Sequence, residues 1–405
     1  KRFPAAVFCD PKVGPEQSDD SRGPGDAVER ERKLSWHTGD QIQKDCPISF
    51  ISFDVEALPG RAEKDPIDRL VWGRFDGEEY GISRICDILD QYGIKGNFLI
   101  DFSACLLYGD KPVREAIQFL LSHGHEVHVH LHSEWVVRKW KLQCKEWSGG
   151  PVGMEMLDEA LNQSVLQYAV FKYRSLAGRE PIVFRAGGYR FNAGTVNAAR
   201  KLGFTACSNF NSSRHAGVWS SAEPAILNNE PFRWQNGLVE LPVDFSPEPL
   251  THEWEKYLGS FDRVLSRKHI KTFNLTLHSW SLLTREASGH FVGFSAAHER
   301  RLQEICEHLK NHSQPMGYSE YLSLAVDLPK TVDCRCLLSP PSITERTNHC
   351  NICGATYGKP LSNDICPSCE SRARHRQILD VLSTIGNLFD GQSVLACHAN
   401  PVEKQ

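Results

Sequence analysis

Two carboxylates stand at i and i+2 in Phe53-Asp54-Val55-Glu56, closing the apolar run that begins at Ile48. On a strand that spacing puts both on one face. Acids at the end of an apolar strand cost free energy unless charge or hydrogen bonds compensate, so the pair calls for partners. The segment Gly124 to Trp135 offers them, because His128, His130 and His132 alternate with Val129 and Leu131. Two imidazoles and a carboxylate make a catalytic metal site with positions left for water and substrate. The other reading of the row, an exposed edge strand, fits poorly with how deeply parallel strands are buried. Phe184-Arg185-Ala186-Gly187-Gly188-Tyr189 sets an arginine at a strand end, followed by glycines that let backbone N–H groups approach an oxyanion. Leu275-Thr276-Leu277-His278 brings a histidine out of an apolar strand. Alone, each of these last two is ordinary structural chemistry; their weight comes from the company they keep.

The elements that must hold these residues alternate. Strand-like runs cover Ile48 to Phe53, Asn97 to Phe102, Glu126 to His132, Ile182 to Arg185, Phe204 to Asn209, Leu238 to Val243 and Thr272 to His278. Between them fall helical stripes. Ile82, Ile85, Cys86 and Leu89 precede a stop at Gly93, and Pro112 opens a helix through Leu121. Leu157, Leu161, Val165 and Tyr168 run toward Gly178, and Thr195 to Leu202 ends at Gly203. Leu302, Ile305, Cys306 and Leu309 mark a later helix, before a segment from Glu320 to Val326. Repeated βα units imply parallel strands with helical crossovers. Asp54, His130, Arg185, Asp244 and His278 fall at the C-terminal ends of different strands, which is how a barrel builds a site. An α/β barrel, with fewer than eight strands allowed, is therefore expected over residues 46–330.

The 405 residues exceed one ordinary core, and 40% apolar with 24% charged residues is a globular composition. A net charge of −4 argues against general nucleic-acid binding. No apolar run reaches a membrane span, and Lys1 to Asp10 lacks a signal peptide's apolar stretch. Residues 1–45 read as a disordered lead-in. Most of the 14 cysteines are scattered singly, but Cys350, Cys353, Cys366 and Cys369 form two CxxC knuckles. That spacing suits a structural zinc ribbon over residues 346–376, with two disulfides as the alternative. Residues 331–345 read as a linker. A reducing, cytoplasmic setting is expected.

Taken in order, Ser52-Phe-Asp-Val-Glu56, the Gly-His-Glu segment through His130, Phe184-Arg-Ala-Gly-Gly188 and Leu277-His278 resemble the motifs of the polysaccharide deacetylase family, the NodB-homology carbohydrate esterases. The resemblance spans about residues 47–330 and is nearest to the branch of lipopolysaccharide biosynthesis. It implies an irregular (β/α) barrel with Asp54 as general base, Glu56 and His130 as metal ligands, Arg185 orienting the base, and His278 as general acid. The family's second imidazole stands four residues after the first, where this chain has Glu134. Either His132 or Glu134 must replace it; strand alternation favours His132, with His128 as a further alternative. The usual pair of adjacent acids is split here by Val55, and the proline that follows the family's arginine is replaced around Gly187. The acid pairing with His278 has no clear equivalent, leaving Asp244 and Glu240 as candidates.

The segment Cys366 to Arg376 resembles the zinc ribbon that precedes certain S-adenosylmethionine-dependent methyltransferases. Residues 377–405 then read as the truncated start of a Rossmann-type domain, too short for methyl transfer. The expected activity is metal-dependent removal of an N-acetyl group from a sugar or polysaccharide, with zinc the first choice of divalent metal. Backbone N–H groups near Gly188 and Tyr189 would hold the oxyanion, and Trp135, Trp280 and Tyr189 would stack on sugar rings. The rival readings are a degenerate glycan-binding scaffold and a hydrolase of a small amide. No nucleic-acid partner is expected.

Overall fold

The structure is a computed structural model, and it describes residues 46–140, 153–211, 228–250, 253–324, 328 and 331–334. The expected lead-in, zinc ribbon with Cys350, Cys353, Cys366 and Cys369, and methyltransferase-like start lie outside the described residues, as does the linker from residue 335 onward.

The chain folds as α/β, with a parallel sheet that curls on itself. In order come β1 (Ile48–Val55), α1 (Ile82–Tyr92), β2 (Asn97–Asp101), α2 (Ala104–Tyr108), α3 (Asp110–Ser122) and β3 (Glu126–Leu131). Then follow α4 (Ser133–Trp140), α5 (Glu159–Ala177), β4 (Val183–Ala186), α6 (Ala193–Lys201), β5 (Ala206–Cys207), β6 (Phe232–Trp234) and β7 (Val239–Glu240). Next come α7 (Trp254–Arg267), β8 (Thr272–His278), the hairpin β9 (Leu283–Arg285) and β10 (Phe291–Phe294), α8 (Ala296–His312) and α9 (Tyr318–Ser323). The sheet runs β8-β1-β2-β3-β4-β5-β7-β6, parallel throughout except for β6 against β7, with the short strands Thr331–Val332 beside β6 and Gln314–Pro315 beside β1. Beyond β7 the chain bridges both sides of the opening: Val243 pairs with Asn211 after β5, and Phe245 pairs with Leu275 in β8. Asp244 N donates to Asn274 O at 2.9 Å, and Thr276 N donates to Phe245 O at 2.9 Å, so hydrogen bonds cross the seam.

All eight residues of β1 are buried, as a strand covered on both faces requires. Outward-facing Phe53, Phe98, Val129 and Phe184 pack under the helices. Inward-facing Phe50, Leu99 and Val183 meet Met316, Tyr318 and Tyr321, so α9 plugs the N-terminal end of the curled sheet. Above this apolar plug lies a buried polar layer of Ser52, Arg185, Ser208 and Asn274. The C-terminal strand ends are left to carry the site.

The alternation read from the sequence is realised strand by strand, though the run from Leu238 to Val243 is a strand only at Val239 and Glu240 and other local differences occur. The run from Phe204 to Asn209 is a strand only at Ala206 and Cys207, because Glu240 caps the N–H groups of Asn209 and Phe210 and draws them out of the ladder. The helix opened by Pro112 begins earlier, at Asp110, which places the proline in the first turn where its missing N–H costs nothing. Part of the segment from Glu320 to Val326 belongs to α9, whose Tyr318 and Tyr321 fill the end of the sheet.

Candidate active site

Register sets the site's level. Asp54 pairs with His278 across β1 and β8, and His130 pairs with Asp101 on one side and Arg185 on the other. On its other side Asp54 pairs with Leu99, two residues short of Asp101. It is therefore Glu56, two residues further on, that comes level with the row of Asp101, His130 and Arg185. Arg185 is fully buried, and its guanidinium spans the interior. Nη1 donates to Asp54 Oδ1 at 2.7 Å, Nε donates to Ser208 O at 3.0 Å, and Nη2 donates to Ser52 Oγ, Ser208 Oγ and Tyr318 OH. Burial works against the guanidinium's charge, but Asp54, with Tyr318 and Tyr189, outweighs it and the net direction is upward.

Glu56 lies just past the end of β1 and is 4% exposed. Its Oε1 stands 2.9 Å from His130 Nε2 and 3.0 Å from His132 Nε2. One ligand atom from each of the three lies within 4.8 Å of the others, and the same holds for Asp54, Glu56 and His278. Burial opposes ionisation of Glu56, yet His132 and His130 hold it well below the usual carboxylate range. His132 is shifted the other way: burial opposes its charge, but Glu56 and Glu134 raise it well above the usual imidazole range. An imidazolium and a carboxylate thus share the centre, and a cation taking that place would release the proton. The donor set of two imidazoles and one ionised carboxylate fits a divalent metal.

His132 reaches this position after β3 has ended at Leu131. Its backbone N–H donates to Asp101 Oδ1 at 3.1 Å, and Asp101 is itself held by Ser103 N and by Ser103 Oγ at 2.6 Å. Glu134 stands behind the ring, its Oε1 2.7 Å from His132 Nδ1, and so faces away from Glu56. Gly187 packs against the same ring: a Cβ there would meet His132 Cγ at 2.7 Å. That contact accounts for glycine at 187. Asp101 carried no signal in the sequence beyond being an acid at a strand end.

The acid beside His278 is neither candidate read from the sequence. Asp244 is bound by Lys268 Nζ at 2.8 Å and by Asn274 N, and it secures the seam. Glu240 accepts from Asn209 N, Phe210 N, Trp234 Nε1 and Cys207 Sγ, which uses it fully in holding the strand ends. The partner is Glu248, whose Oε2 lies 2.6 Å from His278 Nδ1 while Oε1 accepts from His278 N and Ser281 Oγ. An acid between two prolines, in a loop leaving the strand ends, was the signal available. Burial lowers the affinity of His278 for its proton, but Glu248, Glu56 and Asp54 together raise it to about 9. His278 Nε2 lies 4.0 Å from Glu56 Oε1.

Other expected site residues take different places from those expected. His128 shares the inner face with His130 but lies deeper, with Nε2 3.0 Å from Glu126 Oε2 and its ring against Tyr318, so it does not join the centre. Trp280 is 2% exposed and packs among His278, Phe291 and Arg61, which leaves no face for a sugar. Tyr189 is 8% exposed, under the Arg185 guanidinium at 5.7 Å, and is likewise no open platform. Gly188 and Tyr189 follow β4 with φ of 61° and 59°. Tyr189 occupies a left-handed conformation that costs a bulky residue free energy, a feature common at functional sites. Trp135 on α4 is partly exposed, with Arg138 over its ring at 5.0 Å.

No protein-family model matches the chain, and no curated protein does. Among solved structures it is similar to a Mycobacterium smegmatis protein bearing the name polysaccharide deacetylase, with 18% identity and a TM-score of 0.41 over 69% of this chain and 90% of that one. It is similar to a family 4 carbohydrate esterase from Streptomyces lividans in complex with acetate, with 12% identity and a TM-score of 0.37 over 70% of this chain and 100% of that one. A family 4 pseudoenzyme from Bacillus anthracis matches with 11% identity and a TM-score of 0.37, over 69% and 66%.

Proposed function

We propose that this chain is a metal-dependent hydrolase that removes an acetyl group from the nitrogen of an acetylated sugar. The observation that carries the reading is the convergence, at one end of the curled sheet, of an acid held by an arginine, a carboxylate with two imidazoles, and a histidine held charged by a second acid. Glu56, His130 and His132 would hold the cation. When bound, it supplies polarisation of the acetyl carbonyl and activation of a water molecule. Asp54, fixed by Arg185 and within 4.8 Å of Glu56 and His278 in ligand-atom terms, takes the proton from the attacking water. His278, raised to about 9 through Glu248, is imidazolium at neutral pH and donates to the departing amine. Glu134 fixes the His132 ring so that Nε2 points at Glu56. The motif resemblance of residues 47–330 supports the same assignment.

The test is acetate release from N-acetylated oligosaccharides and nucleotide sugars, with metal content measured on the same samples. Asp54→Asn should keep the metal and lose about a hundredfold in rate, the scale of a missing general base. Glu56→Gln should weaken the metal, and added metal should restore part of the rate. Equal, metal-independent traces in wild type and both variants would reject the enzyme.

A further inference from the structure

The loops around the site carry a cation to which no acid is assigned. Arg61 closes the short turn Pro59–Arg61 that follows β1. Its guanidinium lies over Trp280 at 5.7 Å, and Trp280 is stacked on His278 with ring centres 4.7 Å apart. Arg61 is only partly exposed, yet among the described residues it joins no ion pair, because the acids nearest it are engaged: Glu56 with His130 and His132, Glu248 with His278. A second guanidinium stands on the same aromatic ladder. Trp280 stacks on Phe291 at 5.4 Å, and Arg285 lies over Phe291 at 6.0 Å, its Nε donating to Gly289 O. Burial and the charge of Arg285 both lower the affinity of Arg61 for its proton, with Glu56 and Glu248 partly offsetting them. Two like charges held near each other cost free energy, and a bound anion relieves that cost. Guanidiniums match phosphate and carboxylate oxygens through paired N–H groups.

We infer that Arg61 and Arg285 form an anion subsite beside the acetyl-binding centre, which takes a phosphate or carboxylate borne by the same acetylated sugar. The sugar half of this assignment rests on the deacetylase reading; the anion half does not.

The zinc-loaded full chain is assayed for acetate release from N-acetylglucosamine, N-acetylglucosamine 1-phosphate and an N-acetylated aminouronic acid. At least one anionic probe should exceed the neutral sugar in kcat/KM by about tenfold, the scale of one charge-assisted hydrogen bond. Whichever it is names the anion. In Arg61→Gln that ratio should fall toward one, chiefly through KM, and Arg61→Lys should keep part of it. The ratio does not depend on the folded fraction, so a merely structural role for Arg61 over Trp280 would leave it unchanged and overturn the proposal. A ratio near one in the wild type would overturn it as well. Calorimetric titration with inorganic phosphate separates the two readings. Binding weakened about fivefold or more in Arg61→Gln, on the same scale of a charged contact, supports the subsite even if no probe releases acetate. In that case the deacetylase reading alone fails. Binding equal in wild type and Arg61→Gln places phosphate elsewhere and overturns the subsite.

Discussion

Asp54 and Glu56 share a face and the nearby His278, but differ in the groups that hold them. Asp54 meets a guanidinium that also grips Ser52, Ser208 and Tyr318, whereas Glu56 meets two imidazoles. In the proposed reaction, the division of labour between base and ligand follows from these neighbours. The same holds for His278, whose proton depends on Glu248. Replacing Glu248 by Gln removes the strongest of the groups that raise it and leaves burial, which lowers it, opposed only by Glu56 and Asp54. The alkaline limb of the kcat/KM profile should move from near pH 9 toward neutrality, with activity at pH 8 falling about tenfold. A limb that stays near 9 would show that another group donates the proton. At His132 the outcome to expect is graded. His132→Ala should lose the metal, whereas Glu134→Gln should weaken it about tenfold, as loss of an orienting partner does. Metal lost in Glu134→Gln and kept in His132→Ala would reverse the two roles.

Elements place these groups by ending where they do. β3 stops at Leu131, and His132 turns inward because Asp101 at the end of β2 captures its N–H. The turn after β4 must then leave room, and Gly187 does so by lacking a side chain. In Gly187→Ala the new methyl group would lie 2.7 Å from His132 Cγ and 2.8 Å from Nδ1. The ring must shift. Metal affinity should fall about tenfold or more while far-ultraviolet circular dichroism is unchanged. Unaltered affinity would mean that the ring can move without losing its aim.

At the scale of the molecule, the curled sheet is held across its interior by one buried cation. Arg185 on β4 reaches Asp54 on β1, strands that are not neighbours, and Tyr318 on the helix that plugs the far end. Arg185→Leu should cost about 3–5 kcal/mol in chemical denaturation, because Asp54 is left buried and unpaired. Adding Asp54→Asn should recover part of that loss, since the double variant no longer buries a lone charge. A double variant no more stable than the single one would mean that Arg185 acts through its packing alone.

Much of this arrangement follows from local spacing. Alternation along β3 sets His128 and His130 on one face, i and i+2 align Asp54 with Glu56, and apolar runs between helical stripes define parallel strands. Such patterns are legible because side-chain direction in a strand depends only on position along it. The partner of His278 was not legible in that way. Glu240, Asp244 and Glu248 all lie within or just after the run from Leu238 to Val243, and nothing in their spacing tells which of them meets His278. Only the folded chain shows Asp244 tied to Lys268 and Glu240 spent on four donors, with Glu248 left beside the imidazole. Nor does spacing tell His128 from His132 as the second imidazole, since depth in a curled sheet and the point where a strand ends are set by its neighbours. The sequence determined which residues face inward; the tertiary structure decided which of them meet, because long-range hydrogen bonds and burial act between groups that the chain itself keeps far apart.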